Sequence, residues 1–222
     1  MPSLIVKTPP AVEPISLAEA KAHLRVDMTD DDATIQHLIR SARHALETRY
    51  DRAIITQSLV LGRDYFPSFY GLGYTWTPGG WFGQYWMTQY TTQELNWGYI
   101  ALRPPVQSIT SVTYIDTSGN SQIWPSTNYG LDGDSEPGRL YLLPGKTFPT
   151  TAQQLATVKI EFVSGNTSPD LVPADIREAV KLLMAHYYEN REETVTGSRL
   201  VSLQLPYGVQ QLMTNYDPSL VA

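Results

Sequence analysis

The chain has 222 residues, no cysteine and a formal net charge of −6, with 42% hydrophobic and 17% charged residues. That length and balance suit one large or two small folded domains. The missing thiols exclude disulfides, thiolate catalysis and Cys-based zinc sites, and the acidity argues against a general nucleic-acid binder, which needs a basic face. No apolar run approaches the roughly 20 residues that span a bilayer, so no membrane partner is expected. The opening MPSLIVKTPPAVEP is too short in its apolar run, and too broken by proline, to read as a signal peptide.

Residues 1–15 carry Pro2, Pro9, Pro10 and Pro14 and predict an extended arm. Ser16-Leu17-Ala18-Glu19 is a capping box that opens a short helix to about Val26, with Leu17, Ala20 and Leu24 on one side. Asp27, Asp30, Asp31 and Asp32 lead into a second helix that runs to about Tyr50. Their spacing lacks the glycine bend and closing glutamate of a calcium loop, so they read as acids on a helix dipole. Ile35, Leu38, Ile39, Ala42 and Leu46 form the apolar stripe of that helix, and Arg40, Arg43 and Glu47 read as its solvated side.

After Asp51-Arg52 the period changes. Ala53 to Tyr65 is rich in β-branched residues and predicts a strand. From Tyr65 to Trp97 lie half of the chain's aromatic residues, with five glycines, one acid (Glu94) and no Lys or Arg, at no helical spacing. This predicts a long loop or loose hairpin of functional character. Strands resume at Tyr99–Arg103 and Ile109–Asp116, the latter turning at Thr117-Ser118-Gly119-Asn120 into Ser121–Trp124. Tyr129–Asp132 and Arg139–Leu142 pair around Ser135-Glu136-Pro137-Gly138, and Thr157–Val163 is the last strand.

Val172 to Glu193 is the best helix in the chain. Pro173 suits a first turn, Asp175 and Glu178 sit near the positive end, and Ile176, Ala179, Val180, Leu183, Met184 and Tyr187 make one stripe. Pro206 then opens a short amphipathic segment with Val209, Leu212, Met213 and Tyr216, able to fold back or to dock on another protein. The expected architecture is α+β. Segments 16–52 and 172–192 form a helical cluster around an inserted antiparallel β domain over 53–171, a small sandwich or barrel, with the aromatic-rich loop 65–97 inside it and a tail at 193–222.

Signals for chemistry are weak. Pro144-Gly145-Lys146-Thr147 lacks the first glycine of a phosphate loop, since Leu140 stands there, and Pro149 blocks the helix that should follow. His186 and Glu189 are one helical turn apart without a third ligand, and His23, His37 and His44 have no nucleophile pattern near them. No nucleophile elbow or carboxylate pair is present, so no catalytic residue, metal or cofactor is expected. The aromatic stretch supports three readings: packing on its own domain, a protein interface, or a platform for sugar rings. A carbohydrate- or receptor-binding module is therefore the alternative function.

The order of segments resembles the head-to-tail connector (adaptor) proteins of tailed bacteriophages and gene-transfer particles. The resemblance lies in ISLAEAKAHLRVD (15–27), DDATIQHLIRSARHALETRYDRAIITQS (31–58), LRPPVQSITSVTYIDTSGN (102–120), YGLDGDSEPGRLYLLPGKTFP (129–149) and VPADIREAVKLLMAHYYENRE (172–192). It implies a non-enzymatic virion protein of the neck, assembled in the host cytoplasm into a ring, a dodecamer in similar connectors. Such a ring sits beneath the portal protein, docks the next neck or tail protein (a stopper or tail terminator) and passes DNA only as cargo. In similar connectors the C-terminal segment reaches the portal, which assigns that role to Pro206, Val209, Leu212, Met213 and Tyr216. The aromatic insert departs from the usual short link. Tyr74, Trp76, Trp81, Phe82, Tyr85 and Trp86 are its expected contacts with a neck or tail protein or an adjacent subunit. The same ring would present an acidic channel wall, with Asp30, Asp31 and Asp32 as candidates to face the lumen.

Overall fold

The computed structural model describes residues 3–67, 98–190 and 205–217, and in it stretches far apart in sequence pack together around two separate apolar cores. Two compact units result: Pro9–Gln57 with Ser164–Ala222, and Met1–Thr8 with Ser58–Val163. The first is helical and the second is built of strands, an α+β arrangement.

In the helical unit, α1 (Leu17–Leu24) starts at the expected capping box. Ser16 Oγ accepts the Glu19 N–H at 3.2 Å, and the Glu19 carboxylate accepts the Ser16 N–H at 2.8 Å. The helix ends where Arg25 turns left-handed at φ 56°. α2 (Asp32–Arg49) buries Ile35, Ile39, Ala42 and Leu46, and α3 (Ala174–Glu189) buries Ile176, Ala179, Val180, Leu183 and Met184. These are the stripes that helical spacing predicts. α4 (Tyr207–Met213) adds Val209 and Met213 to the same cluster.

One expectation on α2 fails. Arg43 and Glu47 do not lie on its solvated side; they are 8% and 3% exposed. Arg43 stands four residues beyond Ile39 in the row Ile35, Ile39, and Glu47 four beyond Arg43, so both continue the buried stripe. Their charges are retained because they are paired. Arg43 Nη1 donates to Glu47 at 2.6 Å and Arg43 Nε to Glu13 at 2.7 Å, while Glu47 also accepts from the Ile54 N–H and from Gln57 Nε2, each at 2.9 Å. Burial by itself would lower the Arg43 pKa, but the hydrogen bond to Glu13 and the charges of Glu47 and Glu13 outweigh it and raise the value.

The strand unit holds two sheets. The larger runs in the order β1 (Ser3–Thr8), β2 (Gln57–Arg63), β8 (Val158–Ser164), β4 (Val106–Ile115), β5 (Ser121–Ile123); the smaller in the order β3 (Tyr99–Leu102), β7 (Gly138–Leu142), β6 (Tyr129–Asp132). The β1–β2, β4–β5, β3–β7 and β6–β7 pairs are antiparallel. Leu59, Val112, Ile160 and Phe162 of the larger sheet share one core with Ile100, Leu102 and Leu140 of the smaller, so the unit is a sandwich and not a closed barrel. Phe66, Trp124 and Phe148 extend that core as an aromatic group, with ring centroids 5.1–5.5 Å apart.

The boundaries of the insert differ from those expected. The prolines of the N-terminal arm leave Ser3–Thr8 free to pair, and this stretch is strand β1, in register with β2 from Ser3↔Gly62 to Thr8↔Ser58. Ala53, Ile54 and Ile55 are fully buried, the two isoleucines in the helical cluster, so the strand unit takes over at Ser58 rather than at residue 53. Residues 164–171, expected with the β domain, belong to the helical unit. The reason is a seam in which Asn166 Nδ2 donates to Ile54 O at 2.8 Å and Thr56 N–H to Asn166 O at 3.0 Å. Gly165 lies at φ +110°, and a Cβ there would come within 2.2 Å of Ile55 O, so the seam needs glycine.

Candidate functional site

No chemistry-bearing cluster stands out among the described residues. Among the described residues no group of three or more His, Cys, Asp or Glu side chains can hold a metal ion. His186 is exposed and its ring lies 3.3 Å from Asn190 Nδ2. Pro144–Lys146 is a turn, in which the Lys146 N–H returns to Leu143 O and Gly145 takes φ +75°. No helix among the described residues is long and apolar enough to cross a membrane.

Pro206 is the N-cap of α4, and Val209 and Met213 are 0% and 1% exposed against the helical core. Leu212 and Tyr216 are half-buried and pack on the same cluster. The Tyr216 hydroxyl donates to the Asp175 carboxylate at 3.0 Å near the start of α3, and the Arg52 guanidinium lies 4.8 Å from the Tyr216 ring centroid. Of the two fates open to this segment, folding back is the one adopted here. Burial of Val209 and Met213 is worth about 1.5–3 kcal/mol each, so α4 stays seated unless a partner replaces that contact. Its outward surface is Tyr207, at 80% exposed, with Gly208 and Gln211.

Tyr74, Trp76, Trp81, Phe82, Tyr85 and Trp86 lie outside the described residues. Just before them, Tyr65, Phe66 and Pro67 line a groove of about 1310 Å³ together with Leu142, Phe148 and Leu155. Leu155 is 82% exposed at its rim.

The aspartates ahead of α2 separate by role. Asp32 accepts from Lys21 Nζ at 2.7 Å and Asp31 from the Tyr188 hydroxyl at 2.6 Å, which ties the start of α2 to α1 and to α3. Asp30 is exposed. Glu19, besides capping α1, bonds Arg177 of α3. The Ser16 backbone N–H is the main cause that holds the Glu19 carboxyl below its ordinary pKa, against a smaller opposing effect of burial. In the strand unit Asp116 closes the β4–β5 turn, accepting from the Ser118 and Asn120 N–H groups at 2.9 Å and from Gln122 Nε2 at 2.9 Å. Those bonds, that of Gln122 foremost, lower its pKa.

Sequence reasoning missed the Glu13–Arg43–Glu47–Gln57 network. Its signal was present in the i, i+4 continuation of the Ile35–Ile39 row by Arg43 and Glu47. Nothing local marks Glu13 as the partner, thirty residues from Arg43.

A family model described as head completion protein matches residues 13–216. No curated protein sequence matches the chain. Among solved structures, a chain in the neck of an empty GTA particle computed with C6 symmetry aligns with TM-score 0.69 and 23% identity, over 97% of this chain and 95% of that one. A chain from the virion of a native gene transfer agent particle aligns with TM-score 0.67 and 22% identity, over 96% and 94%. A chain in the neck of a native GTA particle computed with C12 symmetry aligns with TM-score 0.63 and 22% identity, over 96% and 94%.

Proposed function

The chain belongs to the head completion protein family, and from that premise we propose that it is a structural head-to-tail connector in the neck of a tailed phage or phage-like particle. The observation that carries this is the family match over residues 13–216, which takes in the helices, nearly all the strands and the C-terminal segment. The similarity of fold to chains from gene-transfer-agent necks supports the location, and the C6 and C12 symmetry of those necks supports a ring of copies, a dodecamer beneath the portal.

In that ring the helical unit forms the wall around the DNA channel. A net charge of −6 per copy lets DNA pass with little adhesion, and Asp30, exposed ahead of α2, is the candidate of its group best placed to act. The segment Pro206–Tyr216 meets the portal protein, using the outward side of α4 around Tyr207 while Val209 and Met213 keep it seated. The aromatic residues Tyr74, Trp76, Trp81, Phe82, Tyr85 and Trp86 meet the next neck or tail protein or a neighbouring copy. Their composition, large in contact area and without Lys or Arg, supports a protein contact over nucleic acid.

The test is assembly with the chain removed and restored. DNA-filled heads made without it should carry bare portals and fail to join tails. Adding the purified chain should place a ring of density under the portal and restore joining. Heads that accept tails normally in its absence would overturn the reading. Tyr207→Asp should weaken portal binding, and joint Ala replacement of Trp76, Trp81 and Trp86 should block the next component while the ring still forms.

A further inference from the structure

Among the described residues the five-stranded sheet ends in two free edges. At one side β1 pairs only with β2, and at the other β5 pairs only with β4. In such a ladder alternate backbone N–H and C=O groups of the outermost strand point away from the sheet, and among the described residues no strand takes them up. Chains usually blunt such edges with proline, outward charge or a covering loop. β1, SLIVKT, has no proline, and its single charge, Lys7, is drawn across β2 to Glu161 of β8 at 2.6 Å. Ile5 and Val6, on opposite faces of the strand, are 60% and 43% exposed.

The opposite edge matches it. All three residues of β5 are exposed, and Ile123 is 74% exposed. The strand is nonetheless held in place: its register with β4 runs from Thr113↔Ile123 to Ile115↔Ser121. The following Trp124 donates its N–H to Val112 O at 2.8 Å and is buried. Among the described residues both edges are thus ordered and unpaired, and each exposes an isoleucine, Ile5 and Ile123, on the same face of the sheet.

Copies around a rotation axis meet through two different surfaces, whereas a self-complementary β1–β1 contact would close a dimer and stop. We propose that the outer edge of β1 in one copy pairs with the outer edge of β5 in the next, so that the sheet continues from copy to copy around the ring. This rests on the ring reading above. With β5 only three residues long, the contact buries far less than the roughly 800 Å² per partner of a stable interface. It therefore does not hold free chains together. It forms when neighbours are already held side by side on the portal, at high effective concentration.

The chain has no cysteine, so Ile5→Cys with Ile123→Cys in one chain introduces the only thiols, both at exposed positions on the same face of the sheet. Particles carrying this variant, treated with a short flexible bis-maleimide that tolerates a one-residue shift in register, should yield a ladder of covalent multimers on a denaturing gel. Either single variant should stay monomeric. In parallel, Ile5→Glu with Ile123→Glu should lower incorporation into particles about tenfold, because like charges would meet on one face of the sheet across the seam, and Ile5→Lys with Ile123→Glu should restore it. A double-cysteine chain present at wild-type copy number but never cross-linked overturns the sheet pairing alone. Dimers from Ile5→Cys by itself overturn the head-to-tail geometry. A wild-type chain that enters no portal-bearing particle overturns the ring reading and this inference together.

Discussion

The two units are held together by different means. The core of the strand unit is almost wholly apolar; Thr157 is the one buried polar residue there among those described, and its hydroxyl donates to Gln154 O at 2.6 Å. The helical unit buries Arg43, Glu47, Arg52, Gln57 and Ser164. Its remote segments are tied by polar contacts: Glu13 to Arg43, Glu19 to Arg177, Asp31 to Tyr188, Asp175 to Tyr216 and Asn166 to Ile54. Strand ladders set register through the backbone, and inward side chains need only be apolar. Helices satisfy their backbone internally and can slide or rotate against one another, so side-chain pairs specify how segments from both ends of the chain meet.

Replacing Glu47 strikes that difference hardest. Glu47→Ala leaves Arg43 short of a buried partner and strips the acceptor from the Ile54 N–H and Gln57, and should cost about 3–5 kcal/mol in denaturant unfolding. Hydrogen exchange should rise in α2 and α3 well before it rises in β2 and β8. Equal loss of protection in both units would erase the distinction. In the strand unit, Ile160→Ala should cost about 2–5 kcal/mol from lost burial and the cavity left behind. Ile160→Leu, which keeps volume, should cost less than about 1.5 kcal/mol, a tolerance that no neutral replacement at Glu47 should share.

Smaller effects sharpen the picture. Ser16→Ala removes the cap of α1 and should cost about 1 kcal/mol. Because the folded carboxyl of Glu19 titrates below its ordinary value, its contribution is complete above the unfolded pKa and is lost as pH falls through the folded one. Stability measured from neutral pH into the acid range should fall accordingly, and Glu19→Gln should flatten that part of the profile. Tyr216→Phe keeps the ring over Core neighbours but deletes the bond to Asp175, and should cost about 0.5–1 kcal/mol. Limited proteolysis near residue 205 should report that loss as looser docking of α4.

Much of this was legible in the sequence for local reasons. The capping box at Ser16, the stripes of α2 and α3 and the Asp116–Asn120 turn depend on residues within a few positions of one another, and each stands where its pattern predicts. The ordered segments resembling head-to-tail connectors pointed to the family that the match over 13–216 establishes. Tertiary structure alone decided the rest. Ser3–Thr8 became an edge strand because β2 offered a free ladder, Arg43 and Glu47 went inside because Glu13 and Gln57 arrived to pair with them, and the strand unit began at Ser58 because Asn166 captured Ile54 and Thr56. Each of these outcomes turns on a partner 10 to 112 residues away. A local pattern states what a side chain can satisfy, and only the folded chain states which distant group satisfies it.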